Sequence, residues 1–263
     1  MLTAQINGIR LAYEIYGQGE PLLLIHGAIV SHLEWRPQLE ALGKAFQLIM
    51  PDVRGHGESG SSSEPYSIQQ FAEDLFGLLE TLGIQQTIVC GHSMGGAIAQ
   101  QLTIDHPERV RALVLAETIF RFPQDWKLNL RLKVRNGILR LMGLKRLKRL
   151  MGQQFGAKSA EDVALLDTIF KPHLTNPANF WNIWKANKGF DNQARLNQIH
   201  CPTLILVAEN NHATQEQGRI MAQVIPEAQL ITIPNAKHGL NWDNPEAFNA
   251  AVMEFSKKVT YGR

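Results

Sequence analysis

The sequence predicts an α/β fold, in which a mostly parallel central sheet is flanked by helices and interrupted by a helical cap insertion. Short apolar runs without polar alternation recur through the chain, which is typical of strands buried on both faces of a parallel sheet. Helical patterns lie between these runs. The alternation stops at about residue 118 and resumes at about residue 200, which indicates an insertion within one α/β domain.

The strand predictions rest on runs rich in Leu, Ile and Val, which cover residues 21–25, 46–50, 87–90, 112–116, 203–207 and 230–233. A helix is predicted to begin at Ser67, a good N-cap residue, and to end at Gly83, because apolar residues recur between them at helical spacing. A second helix is predicted over residues 97–106 and ends before Pro107, which cannot continue a helix.

The stretch without strand patterns, residues 118–199, is predicted to form a cap, so that residues 1–117 and 200–263 form the core domain. Residues 127–158 of this cap contain ten Lys or Arg and no Asp or Glu. We expect a solvated helix face, a contact with an anionic substrate or a peripheral contact with an anionic membrane. In the last case, anionic vesicles would raise activity at low salt. Nucleic acid is not predicted as a partner, because no recognised binding motif accompanies the charge.

Several classes of protein are excluded by what the sequence lacks. No apolar run reaches the roughly 18 residues of a membrane span, and the first ten residues lack the apolar core of a signal peptide. The two cysteines, Cys90 and Cys201, show no metal-ligand or redox spacing. We therefore expect a cytoplasmic protein without a metal or other cofactor.

A nucleophile motif lies between the predicted strand at 87–90 and the helix that follows it. Residues 91–95 read Gly-His-Ser-Met-Gly, which fits G-x-S-x-G, and the strand and helix on either side are the context that the motif requires. The glycines allow strand and helix to approach closely around a strained turn. The pattern predicts that Ser93 is a nucleophile whose hydroxyl projects at the carboxyl edge of the sheet.

With these residues, the sequence resembles the α/β-hydrolase superfamily, and specifically its cap-bearing, esterase- or lipase-like serine hydrolases. The resemblance also includes His26-Gly27, residues 52–59, residues 107–110 and His238-Gly239. It implies that the backbone amides of Ala28 and Met94 form an oxyanion hole and that His238 is the base. His32 is a weaker candidate for contact with the substrate.

The acid of the triad is where the sequence departs from this family. Relatives usually carry it on the loop after the penultimate strand, where this chain has Asn211. Glu117 directly follows the strand predicted at 112–116, and its surroundings look like those of several haloalkane dehalogenases that place their acid there. We predict Glu117 as the acid; Glu209 and a site without an acid are the alternatives.

Serine at position 93, instead of aspartate, favours acyl chemistry over the opening of epoxides or the removal of halides. We expect hydrolysis of a carboxylic ester of a small apolar acyl substrate through an acyl-enzyme, with thioester, lactone and peracid chemistry as alternatives. A catalytically weak relative that binds a small ligand is the alternative from another class. Aromatic residues of the insertion either line the acyl pocket or pack the cap on the core: Phe120, Phe122, Trp126, Trp181 and Trp184.

Overall fold

One sheet organises the part of the chain that the computed structural model describes, residues 1–62, 65–122, 164–165, 168–169 and 177–261. Its eight strands are β1 (Leu2–Ile6), β2 (Ile9–Tyr16), β3 (Glu20–Ile25), β4 (Phe46–Pro51), β5 (Thr87–His92), β6 (Val110–Ala116), β7 (Thr203–Ala208) and β8 (Gln229–Ile233). Their order across the sheet is β1-β2-β4-β3-β5-β6-β7-β8. β1 and β2 pair antiparallel, as do β2 and β4, and all other neighbours are parallel. The prediction of a mostly parallel sheet is confirmed.

The central strands contain uninterrupted apolar runs because both faces of the sheet are covered. In β3, Leu22 and Leu24 belong to one hydrophobic core, while Leu23 and Ile25 belong to the other, and all four are completely buried. Consecutive residues of a strand point to opposite faces. An apolar run without alternation is therefore what two covered faces require.

Helices cover both faces. They are α1 (Leu39–Leu42), α2 (Ile68–Thr81), α3 (Met94–Asp105), α4 (Pro177–Lys188), α5 (His212–Val224), α6 (Leu240–Asp243) and α7 (Pro245–Tyr261). Short 3₁₀ helices span His32–Gln38, Pro107–Arg109 and Gln193–Gln198. α2, α3 and α5 contribute to one core, while α1 and α7 contribute to the other. The predicted role of Ser67 as the N-cap residue of α2 is confirmed, since its side chain accepts a hydrogen bond from the amide of Gln70 at 3.0 Å.

The hairpin formed by β1 and β2 was not predicted. It turns at Asn7 (φ 44°) and Gly8 (φ 80°), with Ile6 paired with Ile9. An Asn-Gly pair with both residues at positive φ is the strongest short-range signal for a two-residue hairpin, so the sequence did carry this information. The second predicted helix also begins earlier than expected, at Met94, directly after Ser93.

Of the predicted cap, residues 118–122, 164–165, 168–169 and 177–199 are described. All of its basic stretch, residues 127–158, and Trp126 lie outside the described residues. Phe120 is buried in the core that contains α2 and α3, and Trp181 and Trp184 are half-buried against the same core. No helix in the described ranges combines the length and apolar character needed to cross a membrane.

Candidate active site

Ser93 occupies a strained turn between β5 and α3. Its backbone has φ 53° and ψ −116°, a conformation that serine rarely adopts. A Cβ atom at Gly91 would lie 2.2 Å from the carbonyl oxygen of Gly95, and a Cβ atom at Gly95 would lie 2.1 Å from that of Ile25. Both positions must therefore be glycine for the strand and the helix to approach each other at this turn.

His238 lies beside this serine, on the loop that follows β8. Its Nε2 atom is 3.0 Å from Ser93 Oγ, and its Nδ1 atom is 3.4 Å from Glu117 Oε2. Because a carboxylate only accepts hydrogen bonds, Glu117 favours the tautomer with the proton on Nδ1, which leaves the lone pair of Nε2 for the serine hydroxyl. The arrangement is suited to taking a proton from Ser93.

The register of β5 and β6 brings Glu117 to this place. His92 pairs with Ala116, so the residues that follow them, Ser93 and Glu117, leave the sheet at the same edge. The amide of Ser93 also donates to the carbonyl of Ala116 at 2.9 Å. Like Ser93, Glu117 has a positive φ, here 46°. Two neighbouring strands thus end in strained turns that hold chemically active side chains.

The Glu117 carboxylate is buried, and three further donors satisfy it. Oε1 accepts from the amide of Ala208 at 2.5 Å and from the hydroxyl of Thr214 at 2.8 Å. Oε2 accepts from the side-chain amide of Asn211 at 2.6 Å. A buried carboxylate is costly unless it is hydrogen-bonded in this way. In the sequence, Asn211 stands out only as the amide in place of an acid, and no pattern points to Thr214.

Glu209, the alternative acid, lies elsewhere. It is exposed, and its Oε2 atom accepts from the amide of Asn235 at 2.8 Å. Among the predicted candidates, the structure therefore brings Ser93, His238 and Glu117 together and leaves Glu209 on a neighbouring turn.

Of the two predicted oxyanion residues, Met94 directly follows Ser93 in the chain, and Ala28 follows a glycine that lies next to Ser93. Met94 is the first residue of α3, where helix amides have no acceptor within the helix. Ala28 follows Gly27, at which an added Cβ atom would lie 3.4 Å from Ser93 Cβ. The next residue, Ile29, has a φ of 66°, which is unusual for a β-branched side chain. The loop after β3 is therefore held in a strained conformation beside the serine.

His32, the weaker candidate, is engaged by carboxylates. Both its amide and its Nδ1 atom are 2.8 Å from Asp52 Oδ1, and its Nε2 atom is 3.7 Å from Glu14 Oε2. Burial works against its protonation, but Asp52 dominates and raises the pKa of His32 above its ordinary value. These contacts assign His32 to the support of the loop after β3. Within the described ranges, no three His, Cys, Asp or Glu side chains are grouped so that they can hold a metal ion.

Comparison with known proteins identifies the family of this fold. The model of the α/β-hydrolase fold family matches residues 20–245. A proposed carbamate hydrolase, RutD, of Azorhizobium caulinodans is 30% identical over 255 residues, with 95% of this chain and 96% of the relative covered. The 3-oxoadipate enol-lactonase 2 of Acinetobacter baylyi is 29% identical over 262 residues, which cover 98% of this chain and 96% of the relative.

Among solved structures, a thermophilic esterase from Thermogutta terrifontis superimposes with a TM-score of 0.83 at 28% identity, and the match covers 98% of both chains. The resemblance seen in the sequence is confirmed over nearly its whole length. The chain belongs to the α/β-hydrolase fold family and is a hydrolase.

Proposed function

We propose that this hydrolase cleaves a carboxylic ester of a small apolar substrate through a covalent acyl-enzyme. The observation that carries the proposal is the 3.0 Å contact between Ser93 Oγ and His238 Nε2, with the buried Glu117 carboxylate behind the imidazole. A serine hydroxyl is a poor nucleophile unless a base takes its proton, and this contact supplies the base.

In the proposed reaction, Ser93 Oγ attacks the ester carbonyl while His238 Nε2 takes the hydroxyl proton. Glu117 stabilises the resulting imidazolium, and the amides of Ala28 and Met94 bind the oxyanion. Removing one oxyanion donor of this kind typically costs about 3–4 kcal/mol of transition-state stabilisation. The alcohol leaves with the proton from His238, and water then cleaves the acyl-enzyme by the same steps to release the acid.

The names of the relatives favour bonds of this chemical type. An enol-lactone is a cyclic ester, and a nucleophilic serine would open it through the same kind of acyl-enzyme that it forms with an open ester. A lactone is therefore the second candidate substrate class, and the similarity to an enol-lactonase supports it.

The test is hydrolysis of p-nitrophenyl esters from acetate to palmitate, with a γ-lactone series measured in parallel. We expect the parent to cleave the short and medium esters and Ser93→Ala to be inactive on all of them. The acyl chain length that is hydrolysed fastest indicates the size of the acyl pocket. A parent that is no faster than Ser93→Ala on every ester and lactone would contradict the proposal.

A ligand-binding relative without catalysis is distinguished by covalent labelling. A fluorophosphonate reacts only with an activated serine, so we expect it to label the parent at Ser93 and to leave His238→Ala unlabelled. If the parent is unlabelled although it is folded, the serine is not activated and the binding alternative takes the place of the hydrolase.

A further inference from the structure

A second carboxylate–histidine pair lies behind the site and takes no part in the proposed chemistry. Glu34 belongs to the 3₁₀ helix His32–Gln38, and His92 is the last residue of β5. The two side chains are 58 residues apart in sequence, and each is only 1% exposed. Their contact, His92 Nδ1 to Glu34 Oε1, measures 2.8 Å.

The outer atoms of this pair bind the two loops that the proposed reaction needs. Glu34 Oε2 accepts from the amide of Gly27 at 2.7 Å, next to the proposed oxyanion donor Ala28. His92 Nε2 is 2.7 Å from the backbone carbonyl of His238. One continuous line of contacts therefore joins the oxyanion loop to the base. His92, a member of this line, directly precedes Ser93 in the chain.

The chemistry of these contacts fixes the protons. The carbonyl of His238 can only accept, so His92 Nε2 carries a hydrogen. Glu34 already accepts from Gly27 through one oxygen, as an ionised carboxylate does. Burial pushes the pKa of His92 down, but the attraction and hydrogen bond of Glu34 outweigh it and raise the pKa above its ordinary value. Burial pushes the pKa of Glu34 up, and His92 outweighs this effect and lowers it. The 2.8 Å contact between Nδ1 and Oε1 needs a hydrogen between the two atoms, and both pKa directions favour its place on Nδ1 of His92.

Other titratable groups face this pair from each neighbouring element. Burial and the charge of Glu34 raise the pKa of the Cys90 thiol in β5. His26, after β3, contributes to lowering the pKa of Glu34, and Glu117, after β6, contributes to raising that of His92. The His238 ring is tilted by 50° against the His92 ring, with 5.1 Å between centroids. The positive charge of His92 thus lies close to the ring that gains a proton during the proposed reaction.

We propose that Glu34 and His92 form a positioning pair, in which doubly protonated His92 holds the base by its backbone carbonyl and Glu34 holds the oxyanion loop by the amide of Gly27. This inference rests on the proposed function, since it assigns the pair its role through His238 and Ala28. Loss of the Nδ1 proton turns the contact between His92 and Glu34 into a repulsion of two acceptors. The oxyanion loop and the base then lose their common support.

The first test compares His92→Ala with Glu34→Gln. His92→Ala removes the contact to His238, and we expect kcat to fall about 10²-fold, the usual effect of a displaced catalytic group, while KM changes little. Glu34→Gln keeps every hydrogen bond without charge, because its oxygen accepts from Gly27 and its amide donates to a neutral His92. We expect this conservative variant to retain most of the activity at neutral pH.

The pH profile separates positioning from a merely structural role. We expect kcat of the parent to fall at alkaline pH as His92 loses its proton, and Glu34→Gln to lack this alkaline limb. The matched control is Glu73→Gln, which alters another carboxylate–histidine contact, His106 Nε2 to Glu73 Oε1 at 3.1 Å, outside the site. We expect its profile to superimpose on that of the parent. Identical alkaline limbs in the parent and Glu34→Gln would overturn the proposal.

A second readout does not depend on turnover. In ¹⁵N-histidine spectra of Ser93→Ala at pH 7.5, we expect both ring nitrogens of His92 to be protonated, and only one of them when Glu34→Gln is added; His92→Gln assigns the signals. A neutral His92 next to Glu34 would overturn the proposal even if esters are cleaved. An inactive parent with a doubly protonated His92 would contradict the proposed function and leave the charged pair established.

Discussion

The side-chain amide of Asn211 stands where a carboxylate is expected in this family, and it has a definite partner. It donates to Glu117 Oε2 at 2.6 Å, on the same oxygen that lies 3.4 Å from His238 Nδ1. Asn211 and His238 therefore approach the same oxygen of Glu117. With a carboxylate already at 117, a second one at 211 would be placed against a like charge, whereas an amide donates to it.

This geometry predicts that the acid can be moved. In Glu117→Gln/Asn211→Asp, the new carboxylate can accept from His238 while the glutamine amide donates to it. We expect kcat/KM for a short p-nitrophenyl ester to exceed that of Glu117→Gln at least about tenfold, because a charge behind the imidazole is worth several orders of magnitude in serine hydrolysis. The control, Glu117→Gln/Asn211→Ala, supplies no carboxylate and should stay at the level of Glu117→Gln. A double variant with aspartate that is no faster than this control would show that position 211 does not serve the base.

The junction of β5 and α3 places the serine, and its geometry depends on close backbone contacts. The helix begins directly after Ser93, and its first turn packs against the end of β3, where Gly95 meets the carbonyl of Ile25. Backbone cannot move aside as a side chain can. The strand, the turn and the helix therefore form one rigid support for the nucleophile.

Alanine at Gly95 tests this support. We expect Gly95→Ala to lose about 3 kcal/mol or more of unfolding free energy, because its Cβ atom would lie 2.1 Å from the Ile25 carbonyl oxygen. Gly189→Ala is the matched control, since nothing lies within 4 Å of a Cβ atom there, and its effect should stay below about 1 kcal/mol. Urea unfolding followed by circular dichroism measures both. Equal midpoints for the two variants would contradict the close packing.

The stability of the whole domain depends on pH through the charged pair of Glu34 and His92. The folded-state pKa of His92 is raised, so its contribution is full below the ordinary value of 6.5 and is lost as pH rises through the folded-state value. The pKa of Glu34 is lowered, so its contribution is full above 4.5 and is lost as pH falls through the folded-state value.

The difference in unfolding free energy between the parent and Glu34→Gln should therefore be bell-shaped in pH. Its plateau is expected between 4.5 and 6.5, with a decline on both sides. The test is how this free-energy difference varies with pH and not whether it is positive or negative, because a neutral hydrogen-bonded substitute for a buried ion pair is often equally stable. Urea midpoints of both proteins from pH 3 to 10 give the curve. A difference that does not vary with pH would contradict the charged pair.

The architecture could be predicted from the sequence because strands that are buried on both faces of a sheet appear as short apolar runs. The runs that contain Leu23 and Val114 could be recognised as strands without reference to the rest of the chain. The Asn7-Gly8 hairpin carried an equally local signal that was overlooked. Glu34 and His92 could not be paired in this way, since their contact depends on how a 3₁₀ helix and a strand end meet in space. Such contacts between distant residues leave no local pattern.

The candidate site shows the same division. Ser93 and His238 stand in recognisable motifs, and Glu117 was predicted from its place after a strand and from the amide at position 211. The donors that satisfy Glu117, from Ala208 and Thr214, come from β7 and α5, and only the register of the sheet brings them to it. The sequence therefore indicated the chemistry of the site but not the surroundings that make a buried charge acceptable.

Turnover of Glu117→Gln shows whether Glu117 is the acid behind His238. Ester hydrolysis would be measured for the parent, Glu117→Gln and Glu209→Gln, with Ser93→Ala as the blank and circular dichroism to verify folding. We predict that Glu117→Gln lowers kcat by about 10⁴-fold, as the loss of the acid does in serine proteases, and that Glu209→Gln matches the parent. A folded Glu117→Gln with the turnover of the parent would contradict this role of Glu117, and a loss confined to Glu209→Gln would move the acid to the neighbouring turn.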